Sequence, residues 1–304
     1  MSESTVPHED SNTRAIVVGV DGSQNSFQAV AWAAVEAELH RCPLRIVAAY
    51  GPESAAEPWT AQGVAEREAT RAEALRVLTE AARIAHHAAP QNTISVTSEA
   101  VGESALAALI ARSARARMTV VGNRGRGAIR RALLGSVSAG LARRAHSPVA
   151  VVHGEPDLHR TAADKPVVVG VDGSGNSEAA VRLAFDEASR RKVPLVAVHA
   201  WRDTSGFELE VIGWDTIRER EDLVLADRLA DPAEEYPDVS IQRRITSDSP
   251  ARALLESAEG AQLLVVGAHG RGGFAGIALG SVSTALLHGA SCPVLVARSP
   301  EEVR

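Results

Sequence analysis

The sequence predicts two tandem α/β domains, each a doubly wound, Rossmann-like parallel sheet with helices on both faces. Short Val-rich runs alternate with helix-forming stretches along the chain, and that order requires βαβ crossovers. Most of these runs are continuously apolar, which is typical of parallel strands buried on both faces. The whole series occurs twice within 304 residues.

The internal repeat sets the domain organisation. Residues 16–50 realign with residues 167–201 at an offset of 151, and 18 of the 35 positions are identical. Residues 118–153 realign with residues 263–298 at an offset of 145, and 16 of the 36 positions are identical. These matches predict a disordered tail at 1–13, a first domain at 14–153, a linker at 154–164, a second domain at 165–298 and a tail at 299–304.

Strands and helices alternate along the first repeat. The predicted strands are the runs Ala15–Val20, Leu44–Tyr50, Ile94–Ala100, Met118–Gly122 and Val149–His153. The predicted helices are rich in good helix formers and span Ser26–Arg41, Ala65–Ala88, Ser104–Ala116 and Ser136–Ala145. Matching strands of the second repeat are Val167–Val171, Leu195–Trp201, Val239–Ile245, Leu263–Gly267 and Val294–Ala297. The third strand of each repeat alternates polar and apolar residues, which predicts a more exposed position.

Composition and charge argue against several classes of protein. A net charge of -6 provides no general basic face for nucleic acid. No apolar run reaches the roughly 18–20 residues that a membrane span needs, and the polar start of the chain does not resemble a secretion signal. We therefore expect a cytoplasmic protein that binds neither nucleic acid nor membrane. Cys42 and Cys292 have no metal-ligand spacing and are predicted to be small buried residues.

The most informative stretch is VVGNRGRGAIRRALLGSVS, residues 120–138, directly after the fourth predicted strand. It carries the spacing G-x2-G-x9-G-S, and the second repeat carries the same spacing at the same place. The residues are Gly122, Gly125, Gly135, Ser136, Gly267, Gly270, Gly280 and Ser281. Glycine lets the backbone approach an anion closely, and we expect Ser136 and Ser281 to cap helices whose N-termini attract phosphate. The spacing therefore predicts a phosphate site in each repeat.

A second loop is expected at the same edge of each sheet. Asp21 follows the first strand, and Asp172 is its counterpart in the second repeat. Open α/β sheets bind ligands at the carboxyl ends of their strands, where the winding reverses. We therefore expect the aspartates and the glycine loops to meet there. Asp-Gly is also a turn dipeptide, so a purely turn-forming role for both aspartates stays open.

The glycine spacing, together with an aspartate at the end of each first strand, resembles the ATP-binding members of the universal stress protein family. The resemblance covers residues 14–152 and 165–297. It implies a five-stranded parallel sheet in the order 3-2-1-4-5 in each domain, with the domains paired through their last strands, Pro148–Val152 and Pro293–Ala297. It also implies ATP with Mg²⁺ as the ligand, a homodimer, and a regulatory protein partner in the stress response.

The resemblance implies a role for each matching residue. Asp21 and Asp172 are expected at the adenosine part of ATP, away from the phosphates, and Ala49 and Ala200 in the adenine pocket. The residues expected along the nucleotide are Val121, Gly122, Arg124, Val266, Gly267 and His269. The residues expected at the phosphates are Gly125, Gly135, Ser136, Val137, Gly270, Gly280, Ser281 and Val282.

The two repeats differ where the phosphates are expected. Arg124 of the first repeat is replaced by His269 in the second, and Asn123 is replaced by Ala268. The second site therefore has less fixed positive charge, and we expect weaker or pH-dependent binding there. Arg126 is matched by Arg271, which favours a role common to both repeats.

Chemistry beyond binding has little support in the sequence. The sequence contains no GxxxxGK[ST], GxSxG or HExxH motif, and no evident base that would position water for phosphoryl transfer. Slow Mg-dependent ATP hydrolysis, another nucleotide-dependent reaction and a scaffold without nucleotide remain alternatives. AMP or a cyclic nucleotide remains an alternative ligand. His199, which replaces Ala48 in the second repeat, is expected to have a structural role.

Overall fold

The computed structural model of the chain describes residues 14–51, 61–89, 91, 93–125, 134–154, 164–201, 214–270 and 279–298. The two predicted tails, most of the predicted linker, Arg126 and Arg271 lie outside these ranges.

Strands and helices alternate through both repeats, as the sequence predicts. The first repeat contains β1 (Ile16–Gly19), α1 (Gln24–Leu39), β2 (Leu44–Ala49), α2 (Ala61–Ala88), β3 (Val96–Val101), α3 (Ala105–Ser113), β4 (Met118–Gly122), α4 (Ser136–Arg144) and β5 (Val149–Val152). The second contains β6 (Val167–Gly170), α5 (Gly175–Arg191), β7 (Leu195–Ala200), α6 (Trp214–Glu235), β8 (Ile241–Thr246), α7 (Pro250–Ala258), β9 (Leu263–Gly267), α8 (Ser281–Gly289) and β10 (Val294–Ala297).

The ten strands form one continuous sheet in the order β3-β2-β1-β4-β5-β10-β9-β6-β7-β8. Neighbouring strands within each repeat are parallel. Each half therefore has the order 3-2-1-4-5 in its own numbering, and the predicted doubly wound α/β class is confirmed. This order places the first and fourth strands of each repeat side by side, so the loops that follow them meet at one edge of the sheet.

The two repeats join through their last strands. β5 and β10 pair antiparallel, with Ala150 opposite Leu295 and Val151 opposite Val294. All residues of both strands are buried. Alone, each strand would end its sheet with unpaired backbone donors and acceptors, and pairing removes both edges. The predicted contact between the last strands is confirmed.

Several element boundaries differ by a few residues from those that the pattern predicts, and the start of α1 and the end of β3 are two examples. Helix α1 begins at Gln24, two residues before the predicted Ser26, because Ser23 is its N-cap and accepts a hydrogen bond from the Ser26 N–H. Strand β3 runs to Val101, one residue past the predicted end, because its pairing with β2 continues to Ala49 opposite Val101. Both shifts follow from hydrogen bonds that residue type alone does not show.

The core lies in two apolar layers, one on each face of the sheet. Cys42 and Cys292 are both free and buried within these layers, as predicted. Burial raises the pKa of the Cys292 thiol to about 12, so this side chain behaves as a small apolar group.

Four buried ionisable side chains form what we call the interface cluster, which links α1 to α5. Its members are Glu36, His40, Glu187 and Arg191. Arg191 donates to Glu187 at 2.6 Å and also to Glu36, while His40 Nε2 lies 3.0 Å from Glu187 Oε1. Glu36 and Glu187 are equivalent in the repeat, as are His40 and Arg191. The cluster therefore brings matching positions of the two repeats face to face.

Candidate functional site

A cavity of about 970 Å³ opens at the carboxyl ends of the strands in the first repeat. The ends of β1, β2 and β4, the first turn of α4 and one face of α2 surround it. All nine residues predicted for the first site line this cavity, and they are Asp21, Ala49, Val121, Gly122, Arg124, Gly125, Gly135, Ser136 and Val137. The predicted residues thus converge on one space, of the size usual for small-molecule sites.

The first two glycines of the motif are needed for close packing. A Cβ atom at Gly122 would lie 2.7 Å from the backbone oxygen of Asn25, and one at Gly125 would overlap Asp21 Oδ2. Real Cβ atoms do not approach other atoms so closely. Gly122 therefore lets β4 pass the start of α1, and Gly125 leaves room for a carboxylate.

The two carboxylate oxygens of Asp21 contact different groups. Oδ1 accepts hydrogen bonds from the Ser23 backbone N–H at 2.9 Å and from the Ser23 hydroxyl at 2.6 Å. Gly22, between them, has a φ of 84°, which favours glycine. The turn-forming role is therefore present. Oδ2 faces Gly125, so the aspartate lies against the glycine loop, where the two loops were expected to meet.

The N-terminus of α4 differs from the expected serine cap. Gly135 is the N-cap and Ser136 is the first helical residue; Gly280 and Ser281 have the same positions in α8. The N–H groups of both glycines donate back to the loop, from Gly135 to the Asn123 carbonyl at 2.8 Å and from Gly280 to the Ala268 carbonyl at 2.8 Å. Since glycine has no side chain, it does not accept from the first turn of the helix. The arrangement suits an external anion.

The second repeat builds the same frame. A Cβ atom at Gly270 would overlap Asp172 Oδ2, and one at Gly267 would lie 2.9 Å from the backbone of Asn176. Asp172 Oδ1 accepts from the Ser174 N–H at 2.9 Å, as Asp21 does from Ser23. The remaining predicted residues lie at the ends of β7 and β9 or around the start of α8, and they are Ala200, Val266, His269, Gly280, Ser281 and Val282.

One side-chain hydrogen bond of the first site has no counterpart in the second. Asn25 Nδ2 donates to Asn123 Oδ1 at 2.9 Å, which joins the start of α1 to the glycine loop. The second repeat has the fully buried Ala268 at the position of Asn123, and alanine has no side-chain amide. The loop of the first repeat therefore has a side-chain bond that its counterpart cannot make.

Sequence reasoning missed the wall of the cavity that α2 supplies. Thr70, Glu73, Ala74 and Val77 line the cavity from this helix, and Tyr50 lines it from the end of β2. Ala74 and Val77 belong to the buried face of α2, and the exposed Thr70 lies one helical turn before Ala74. That helical spacing was the available signal.

His199 links strand β7 to helix α6, in agreement with its predicted structural role. It is buried, with Nδ1 donating to the Val171 carbonyl at 2.7 Å and Nε2 at 3.2 Å from Glu221 Oε2 of α6. The first repeat has Ala48 here, and Ala48 lines the cavity.

The interface cluster includes a group with the composition of a metal site. Ligand atoms of Glu36, His40 and Glu187 all lie within 4.8 Å of one another. However, Arg117 Nε donates to His40 Nδ1 at 2.9 Å, so the ring proton is on Nε2, which faces the glutamates. A metal-bound histidine has its proton on the other nitrogen and donates it outward. The cluster therefore fits a network of ion pairs better than a metal centre.

A profile of the universal stress protein family matches residues 12–153 and again residues 165–298. The chain belongs to the universal stress protein family. A universal stress protein of Mycobacterium bovis is 43% identical over 291 residues, which cover 93% of this chain and 96% of the relative. Another, from Mycobacterium tuberculosis, is 42% identical over 304 residues, covering 94% and 96%.

A solved universal stress protein shares the fold over nearly the whole chain. A structure from Archaeoglobus fulgidus is 20% identical, covers 95% of this chain and 99% of its own, and has a TM-score of 0.69. A shorter universal stress protein, 31% identical with a TM-score of 0.35, covers 46% of this chain and 97% of its own and is in complex with cAMP. Within the described ranges, no helix has both the length and the apolar character needed to cross a bilayer.

Proposed function

We propose that this universal stress protein binds ATP, with Mg²⁺, in each repeat and that occupancy regulates the response of a partner protein to stress. The observation that carries the proposal is the convergence of nine motif residues on one cavity at the strand ends. In this proposal, the open first turn of α4 and Arg124 bind the phosphates. Asp21, at the carboxyl end of β1 and lining the same cavity, then binds the ribose.

The same residues favour binding over turnover. Among the described residues that line the cavity, the ionisable side chains are Asp21, Tyr50, Glu73 and Arg124. Asp21 already accepts two hydrogen bonds from Ser23, so it is poorly suited to take a proton from water. We therefore propose a regulatory ligand, which acts by binding two conformations with different affinities. In this proposal the protein acts in the cytoplasm as a homodimer.

The test begins with the purified chain. Denaturation releases any bound nucleotide for identification by chromatography, and calorimetry then measures binding of Mg-ATP, AMP and cAMP to the stripped protein. Gly125→Ala and Gly270→Ala form a matched pair, since each added Cβ would meet an aspartate oxygen in one site only. Gly260→Ala is the control, because nothing lies within 4 Å of its added Cβ.

We expect one adenine nucleotide per repeat, with each site variant losing one and the control losing none. Gly122→Ala and Gly267→Ala are less suitable, because their added atoms would meet backbone and disturb α1 or α5. Wild-type protein that carries no nucleotide and binds none of the three probes would exclude the proposal and favour the scaffold. Phosphate release at a steady rate with Mg-ATP would instead favour the slow ATPase.

A further inference from the structure

The two helices that begin at the glycine–serine motifs end against the opposite repeat. In α4, the carbonyl of Leu141 accepts from Arg298 Nη2 at 3.5 Å, and the carbonyl of Ala142 accepts a shorter bond from the same atom. In α8, the carbonyl of Leu287 accepts from His153 Nε2 at 2.8 Å. Each helix is thus bound at its C-terminal end by a side chain from the other repeat.

These contacts are equivalent in the repeat. His153 and Arg298 are 145 residues apart, and so are Ala142 and Leu287. His153 directly follows β5, and Arg298 directly follows β10. The antiparallel pairing of β5 with β10 carries each of these residues across the interface. One structural feature therefore produces both contacts, once in each direction.

Each of these helices has unpaired backbone groups and a partial charge at both ends, so both ends interact with charged or polar groups. The last four carbonyls of a helix have no partner within it, and a donor or cation there stabilises the helix and its dipole. The first N–H groups of α4 and α8 face the proposed phosphate sites. A nine-residue helix is about 13 Å long, so the cross-repeat donor and the phosphate act on opposite ends of one short element.

We propose that Arg298 is a positioning residue for phosphate binding in the first repeat and that His153 has this role for the second. Each nucleotide site is then completed by the opposite repeat. The inference rests on the proposed function, because it assigns a role within the nucleotide sites.

A second contact adds to the dependence of the first site on the second repeat. The backbone N–H of Leu134, which lines the cavity just before Gly135, donates to His288 Nδ1 at 3.3 Å. His288 is in the last turn of α8. The glycine loop and the helix of the first site are therefore both bonded to the second repeat.

The two cross-repeat donors differ in charge. Arg298 is a permanent cation. Burial lowers the pKa of His153, so its imidazole is neutral at neutral pH and supplies a hydrogen bond without a full charge. The hydrogen bond from His153 to the Leu287 carbonyl raises the pKa of His153. The positive charge of Arg124 lowers it, in the same direction as burial. We therefore expect the larger effect at the first site.

The experiment uses the full chain and reads one site at a time. Gly270→Ala leaves the first site for measurement, and Gly125→Ala leaves the second. In these backgrounds, Arg298→Ala is expected to weaken Mg-ATP binding at the first site by about fivefold, the equivalent of one cation at a helix C-terminus. The second site is expected to keep its affinity, and Arg298→Lys to restore the first. His153→Ala gives the opposite pattern, and His153→Gln, which keeps a donor, covers the case in which the alanine variant folds poorly.

Arg143→Ala is the matched control, because it removes an exposed charge from the last turn of α4 itself. Hydrogen exchange of the nucleotide-free protein separates failure of this inference from failure of the proposed function. Arg298→Ala is expected to speed exchange along α4 as far as Ala139, whose N–H donates to the Gly135 carbonyl at the start of the helix. Exchange confined to the last turn, or affinity lost in the variant's own repeat, would overturn the inference even if the chain binds no nucleotide.

Discussion

The two repeats share a frame and differ in the side chains placed on it. In both, a glycine packs against the start of the first helix, a second glycine faces an aspartate, and a third is the N-cap of a short helix. The first loop carries Arg124 and an amide bond from Asn25 to Asn123. The second carries His269 and the buried Ala268. The glycines thus maintain the shape of both sites while their charge has diverged.

The interface cluster shows the same divergence in a buried setting. Glu36 and Glu187 are equivalent positions, yet the pKa of Glu36 is raised and that of Glu187 is lowered. Burial raises the pKa of both carboxyls, but Arg191 and His40 outweigh burial only at Glu187. Glu36 Oε2 has no hydrogen-bond partner among the residues that the structure describes. The pKa values of two equivalent carboxyls are therefore shifted in opposite directions.

The largest expected effect separates these two glutamates. Glu187→Gln removes a buried charge that Arg191 and His40 both contact, and it is expected to lower the free energy of unfolding by about 3 kcal/mol. Glu36→Gln keeps an oxygen for Arg191 and replaces a carboxyl whose pKa burial raises, so a smaller change, below about 1 kcal/mol, is expected. Denaturant titration of both variants measures the difference. Equal losses would mean that the cluster treats both glutamates alike.

The pH dependence of stability is a second measure of the same pair. Because the pKa of Glu36 in the folded chain lies above its ordinary value of 4.5, the folded chain holds that proton more tightly than the unfolded chain. Its contribution to stability is present at low pH and is lost as pH rises from 4.5 through the raised pKa. Glu187 has a lowered pKa, so its contribution to stability is present above pH 4.5 and is lost as the pH falls through the lowered pKa. Glu36→Gln is expected to remove the decline with rising pH, which denaturant titrations at a series of pH values above 4.5 would measure.

The next effect concerns the charge in the two loops. Exchange of the loop residues, by Arg124→His in the first repeat and His269→Arg in the second, is expected to reverse the order of affinities for Mg-ATP. One charge-assisted contact to phosphate corresponds to about tenfold in the dissociation constant. Calorimetry in the Gly270→Ala and Gly125→Ala backgrounds measures each site alone. If both exchanges leave the affinities unchanged, neither residue contacts the phosphates.

Much of the fold could be predicted because the pattern is local and occurs twice. Val-rich runs, helix formers and the strand–helix order define the class, and the predicted boundaries differ from the observed ones by a few residues. The start of α1 and the end of β3 shifted because capping and register depend on hydrogen bonds between specific residues. The interface cluster could not be predicted, since Glu36 and Arg191 are 155 residues apart and nothing local marks them as partners.

The candidate site was predictable in its residues and less so in its arrangement. The glycine spacing identified the loop that lines the cavity, because close approach of backbone leaves a signature in residue type. It did not show that Asp21 faces Gly125, or that glycine and not serine takes the N-cap. Those details depend on the crossing of two loops from adjacent strands. Thr70 and Glu73 were missed because they lie on a helix far along the chain from either loop.

The smallest expected effect tests whether the hydrogen bond between Asn25 and Asn123 contributes to stability. Asn123→Ala gives the first loop the residue of the second and is expected to cost about 1 kcal/mol of stability, because the Asn25 amide loses an acceptor in a half-buried position. Asn25→Ala is expected to cost a similar amount, and the double variant little more than either single one, since both remove one bond. Denaturant titration of the three variants gives the coupling energy. Additive losses would show that the bond contributes nothing of its own, and the difference between the repeats would then reduce to the charge at Arg124 and His269.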